Sequence, residues 1–173
     1  MNLIYDRTEA DVTEAVRIER KLHKGEALSA AETAAWNAGM KGGYNTSDMN
    51  RVESAVKTLA AALTSAGYPV EVTPVLKGSK AEDREWQEGD VLRRPQWTTY
   101  LENVQKLRDA YYTLAETGAL PAPGDKLGYV GANTIEKVLA DIDLLLDGMK
   151  SVYRRSGTFS AGGNYLRQLI RSI

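Results

Sequence analysis

The chain predicts a mostly α fold, an antiparallel three-helix bundle preceded by two short helices, with room for a small β-ribbon. Three observations carry that prediction. Three stretches share one apolar spacing: Met49, Val52, Val56, Leu59, Leu63, Ala66; Trp97, Tyr100, Val104, Leu107, Tyr111, Leu114; and Ile135, Val138, Ile142, Leu145, Met149, Val152. Steps of three and four residues place such positions on one helix stripe, which is stable only when buried against partners. Capping residues and glycines bracket these stretches. The length of 173 residues suits a single domain, able to bury roughly 70% of its unfolded surface without a metal or disulfide.

The elements follow in order. Thr8 with Asp11 three residues on forms part of a capping box for a first helix, whose modest apolar face is Val12, Val16 and either Ile18 or Leu22, ending near Lys24-Gly25. Ser29 with Glu32 completes a capping box for a short second helix that carries Trp36 and stops at Gly39. In Lys41-Gly42-Gly43-Tyr44-Asn45 the glycines and Asn45 suit a positive-φ turn, and Ser47 or Asp48 suits an N-cap. The long helices are predicted over 48–66, 96–117 and 133–155. Gly67 and Gly118 stop the first two, Pro95 opens the second, and Asn133 with Glu136 caps the third. Val70-Glu71-Val72-Thr73 alternates and reads as a strand, with Asp90-Val91-Leu92 as its return. The domain thus divides into short helices and a turn (1–45), a bundle (46–156) with an insert (67–94), and a tail (157–173).

Composition excludes several function classes. A net charge of −1 gives no drive toward nucleic acid or an anionic membrane. The chain has no cysteine, so it offers no disulfide, no thiolate zinc site and no cysteine nucleophile. No uncharged apolar run approaches the roughly 18 residues of a membrane span. Met1 to Arg7 lacks a basic-then-apolar pattern, so no signal peptide is expected.

Little in the sequence looks like chemistry, and no catalytic, cofactor-binding or metal-ligating residue is assigned. His23 is the single histidine and sits where an imidazolium favours a helix end. Asp141, Asp143 and Asp147 fall largely on the expected solvent side of their helix. Gly124, Gly128 and Gly131 lack the Gly-Lys-Ser/Thr of a phosphate loop. Arg51 and Glu53 read by default as ordinary exposed helix charges, the alternative being that they reach across to the N-terminal segment. Trp36, Tyr44, Trp86 and Trp97 lie at or near loops and helix starts, where they can clamp the short helices or form a sugar platform. From Lys150 to Ile173 there are five basic residues and no acidic ones. With Arg154, Arg155, Tyr165, Arg167 and Arg171, this segment can dock a partner or fold onto the bundle.

Six segments appear together and in order: Tyr5-Asp6-Arg7-Thr8-Glu9-Ala10-Asp11-Val12; Trp36 through Lys41-Gly42-Gly43-Tyr44-Asn45; Thr46-Ser47-Asp48-Met49-Asn50-Arg51-Val52-Glu53; Tyr100-Leu101-Glu102-Asn103-Val104; Ala132-Asn133-Thr134-Ile135-Glu136-Lys137-Val138-Leu139; and Ser156-Gly157. In them the chain resembles a family of small proteins encoded in the tail-gene regions of phages and prophages of Gram-positive gut bacteria. The most specific part is Y-N-x-x-D-x-N-R-V-E, from Tyr44 to Glu53. Gly157 to Gly163 lacks the Gly-Glu-Leu ending associated with the family. The resemblance implies a non-enzymatic structural protein of the tail or baseplate, in the virion or the host cytoplasm. Its partners would be other virion proteins or its own copies, and it supplies no catalytic residues. The rival expectations are a carbohydrate-binding or host-surface adhesion module, which needs those aromatic rings facing solvent, and a cell-wall hydrolase, which needs two carboxyls about 5–10 Å apart.

Overall fold

The computed structural model describes residues 1–156, with side chains described as far as Ser151. The described residues form five helices and no strand: α1 Glu9–His23, α2 Ala30–Asn37, α3 Thr46–Ser65, α4 Arg94–Ala110 and α5 Tyr129–Ser156. No helix among them is long and apolar enough to cross a membrane.

Local chemistry explains the N-terminal helices. The Asp11 carboxylate accepts from Thr8 N at 2.7 Å while Thr8 Oγ1 accepts from Asp11 N at 3.3 Å. Ser29 and Glu32 repeat the exchange at 2.8 and 3.3 Å. Of the expected α1 face, Ile18 is fully buried, Val12 and Val16 are half-buried, and Leu22 is exposed. Gly39 follows the last turn of α2 at φ +74°, a conformation that favours glycine.

The turn before α3 differs from expectation. Asn45 is extended, at φ −117°, and is itself the N-cap; its Oδ1 accepts from Ser47 N at 2.9 Å and Asp48 N at 3.3 Å. The Asp48 carboxylate accepts from Asn45 N at 2.9 Å, so α3 starts two residues earlier than predicted. Gly42 and Gly43 do not take positive φ. Gly42 serves close approach instead, because a Cβ there would lie 1.9 Å from the Asp11 carbonyl oxygen of α1.

The core lies where α3, α4 and α5 pack on one another. Val52, Leu59 and Leu63 from α3, Val104 and Leu107 from α4, and Ile135, Val138 and Ile142 from α5 have essentially no exposure, as the apolar spacing requires. On α5 the stripe continues through Leu139 and Leu146, while Leu145 is only half-buried. A straight helix turns more slowly than a strict seven-residue repeat, falling about 20° behind per heptad, so the buried position moves on by one.

Three further expectations are corrected. Helix α4 ends at Ala110, not near residue 117, because the next segment finds other partners: Leu114 N donates to the Asp141 carboxylate at 3.2 Å, and Arg108 donates to the carbonyls of Gly118 and Thr117 at 2.6 and 3.1 Å. Tyr111 and Leu114 therefore lie beyond the helix. Helix α5 begins at Tyr129, which frees Asn133 and Glu136 from capping. The β-ribbon does not form. Thr73 exchanges hydrogen bonds with the Asn103 side chain of α4, at 2.8 Å from its N–H and 2.7 Å to its carbonyl, so a helix-borne amide replaces a neighbouring strand. Lys77 and Glu82 make an isolated antiparallel bridge, and Val91 and Leu92 are exposed.

Candidate functional site

Four charged side chains from three parts of the chain meet in the interior. Arg7 lies just before α1, Asp48 and Arg51 share one face of the first turns of α3, and Glu136 lies in the first half of α5. Arg7 is 3% exposed, Asp48 3% and Glu136 0%. One Arg7 nitrogen donates to Asp48 Oδ1 at 2.8 Å and to Glu136 Oε1 at 2.7 Å. Arg51 grips both oxygens of Glu136, at 2.9 and 2.8 Å, and also donates to Asp48. Two guanidinium and two carboxylate groups thus alternate, and their charges cancel. Burial works against the Arg51 charge, but the bonds to Glu136 and Asp48 outweigh it and raise its pKa.

The cluster ties the N-terminal segment down. Ile4 N donates to Glu136 Oε2 at 2.7 Å; Arg7 N donates to Asn133 Oδ1 at 3.0 Å, and Asn133 Nδ2 returns a bond to the Arg7 carbonyl at 2.8 Å. The Arg7 side chain also donates to the carbonyls of Ile4 and, at 3.1 Å, Lys41. An arm without strand or helix of its own therefore has its backbone groups satisfied by side chains of α5. Above the cluster the Tyr44 ring faces Arg7, 5.5 Å from its guanidinium carbon, and the Tyr44 and Tyr100 hydroxyls meet at 2.6 Å. Burial raises the pKa of both phenols.

A second knot lies one turn further along α3. Lys77 is fully buried and donates to Glu53 Oε2 at 2.5 Å, while Trp86 Nε1 donates to Glu53 Oε1 at 2.6 Å. Asn50 pairs with the Trp86 backbone, accepting from its N–H at 2.7 Å and donating to its carbonyl at 3.0 Å. The insert is thereby held to α3 as the N-terminal arm is held to α5. Every buried side-chain nitrogen or oxygen among the described residues has a partner.

This arrangement corrects the reading of several residues. Arg51 and Glu53 are not exposed charges; their side chains are 21% and 13% exposed. Asp141 does not face solvent. It is 2% exposed and accepts from Leu114 N, Thr117 Oγ1 and Lys137. Burial works to raise its pKa, but those donors prevail and lower it. Asp143 is half-buried and Asp147 exposed. The aromatic residues do not form a shared solvent-facing platform: Trp86 is 4% and Trp97 7% exposed, Tyr44 is half-buried, and only Trp36 of the four is exposed, at 45%. Trp97 stacks on Tyr100, with centroids 5.2 Å apart. His23 is exposed, 3.7 Å from Glu19. Tyr165, Arg167 and Arg171 lie outside the described residues, as do the side chains of Arg154 and Arg155. No cluster of three or more acidic or histidine side chains suited to a metal ion occurs among the described residues.

A sequence signal for the first cluster did exist. Met49 and Ile135 are the first stripe residues of their helices, and Asp48 and Glu136 flank them directly. The early turns of α3 and α5 lie together in the fold, so these two acids meet at one buried place, where Arg7 and Arg51 balance them. The same residues carry the segments singled out in the sequence: Arg7, Tyr44, Asn45, Asp48, Asn50, Arg51, Glu53, Asn133 and Glu136 all take part in the two knots and their caps. No family model, curated protein or solved structure matches the chain.

Proposed function

We propose that this chain is a non-enzymatic structural protein of a phage or prophage tail or baseplate, acting through contacts with other virion proteins or its own copies. One observation carries the reading: the segments that resemble the tail-region family spend their polar side chains on holding the chain's own parts together. From Tyr44 to Glu53, each polar side chain of the Y-N-x-x-D-x-N-R-V-E pattern closes a cap, a cluster or a knot. A pattern kept for architecture suits a part whose task is to present surfaces at fixed positions. In this reading α3, α4 and α5 form an antiparallel three-helix bundle, the frame on which arm and insert are mounted. The basic 157–173 tail, with Arg154 and Arg155 before it, supplies a contact.

The test is to induce a lysogen carrying the gene, purify particles and quantify the protein by mass spectrometry, with light scattering on the isolated chain. The protein is expected in the particles at a fixed ratio to a known tail protein. Deleting 157–173 should leave the helical content unchanged and reduce self-association or incorporation. A full-length protein that stays monomeric and is missing from purified particles would overturn the proposal.

A further inference from the structure

Three helices bring an aromatic patch together at one end of the molecule. Tyr68, just past α3, packs edge-on against Tyr111, just past α4, with ring centroids 4.9 Å apart. The Tyr111 hydroxyl lies 3.9 Å from the Met149 sulfur, in the last third of α5. From Tyr111 the chain runs back beside α5, where Leu114 N donates to Asp141 at 3.2 Å. Tyr112 is thereby set at the level of Leu144, one turn beyond Asp141 on α5. Its ring packs against Tyr111, with 5.8 Å between centroids, and extends the patch.

This patch is bare among the described residues. Tyr112 is 75% exposed, Leu144 64% and Tyr68 37%. One turn past Leu144, a Cβ on Gly148 would meet nothing within 4 Å, so the surface of α5 is open there. Side-chain charge at this end is close to balanced, with Asp109, Glu116 and Asp147 against Lys106, Arg108 and Lys150. Charge therefore does not choose the occupant; apolar match and reach do.

We infer that the 157–173 tail of the same chain lies over this patch. Its Leu166, Leu169, Ile170 and Ile173 recur at steps of three, one and three, the spacing of one helix face. Such a face is costly to leave in water, and so is the patch. The tail starts on the right element, since α5 itself carries Leu144, Gly148 and Met149. Leu144 lies about 18 Å back along α5 from Ser156. Gly157 to Gly163 can span about 23 Å when extended, and Gly162-Gly163 allow a sharp reversal. The tail has arginines and no acidic residue, while the carbonyl ends of α3 and α4 bring partial negative charge to this end. Tethering sets an effective concentration on the order of millimolar, which favours the chain's own tail over a second copy's. The inference concerns the isolated chain and so goes beyond the virion role: a tail seated here is in place before any partner takes it.

The chain has no cysteine, so an introduced pair reports cleanly in the full-length protein. Gly148→Cys with Leu169→Cys puts one thiol in the patch and one in the tail. Val91→Cys with Leu169→Cys is the control, because Val91 is exposed and lies before α4, at the helix end opposite Tyr111. A short bis-maleimide should join the first pair within one chain at least about tenfold faster than the control pair, at a rate independent of protein concentration. Trypsin gives a second readout. Tyr112→Ser with Leu144→Ser should speed cleavage after Arg167 by about tenfold or more, whereas Val91→Ser should leave it unchanged. All three positions are exposed, so circular dichroism and Tm should hold. Equal joining rates for the two pairs, or cleavage indifferent to the Tyr112 and Leu144 changes, overturns the proposal. Joining that occurs only between chains and rises with concentration also overturns it, since a second copy is then the occupant.

Discussion

The guanidinium of Arg7 lies 2.7 Å from the carboxylate of Glu136, and neither side chain is more than 1% exposed. These residues are 129 positions apart, and their contact fixes an arm that has no regular structure against the middle of the fold. Replacing such a cluster wholesale with apolar residues can be neutral, but removing one member strands a buried charge. Arg7→Met should therefore destabilise the protein by about 3–5 kcal/mol in chemical denaturation, despite the surviving Arg51. A loss below about 1 kcal/mol would show that the cluster is not closed in solution.

The turn after α2 separates two adjacent glycines. A Cβ on Gly42 would overlap the α1 backbone at 1.9 Å, whereas one on Gly43 would meet its nearest neighbour at 3.6 Å, an ordinary contact. Gly42→Ala should lower stability by about 1–3 kcal/mol through forced displacement of α1. Gly43→Ala should stay within about 0.5 kcal/mol. Similar thermal melts for the two variants would contradict the close packing of this turn on α1.

Asn45 and Asp48 cap each other but are not equivalent. Asn45→Ala removes a cap and should cost about 0.5–2 kcal/mol. Asp48→Ala removes a cap and also leaves Arg7 and Arg51 with one carboxylate between them, so its cost should be clearly larger, about 3 kcal/mol or more. Equal effects in urea titrations would argue against the shared role of Asp48.

Along α5, burial rather than apolar character should set mutational cost. Leu146 is 1% exposed and Leu144 is 64% exposed. Leu146→Ala should cost about 2–5 kcal/mol and Leu144→Ala no more than about 0.5 kcal/mol. Reversal of that order would mean α5 is rotated about its axis.

The contact between α1 and α2 should respond to acid. Lys21 first, then the Ser29 N–H and Arg17, hold the Glu32 carboxyl at about 2, against an unperturbed 4.5. A carboxyl with a lowered folded-state pKa stabilises the fold above its unfolded pKa, and that contribution disappears as pH falls toward the folded value. Between about pH 5 and pH 2 the α1–α2 contact should loosen, seen as falling amide protection factors, relative to intrinsic exchange, at Ser29 and Glu32. Glu32→Gln should remove the pH dependence in that window. An unchanged wild-type exchange profile down to pH 2 would refute the assignment.

Much of the fold was readable where neighbours in sequence decide the outcome. The capping boxes at Thr8–Asp11 and Ser29–Glu32 form as written because both partners lie within one helical turn. The buried stripes of α3 and of the first half of α5 follow from helical periodicity, since one face must leave water. Tertiary structure decided the rest, because remote groups competed for the same backbone or charge. Asp141 draws Leu114 and Thr117 away from helical pairing and ends α4 early; Asn103 takes the place of a strand beside Thr73. Arg7, Arg51, Glu53, Lys77 and Glu136 look like surface charges in a linear reading, since a charge shows nothing of its depth until its partner is known. Burial of such groups is favourable only once all partners arrive together. That is a property of the packed chain and not of any stretch within it.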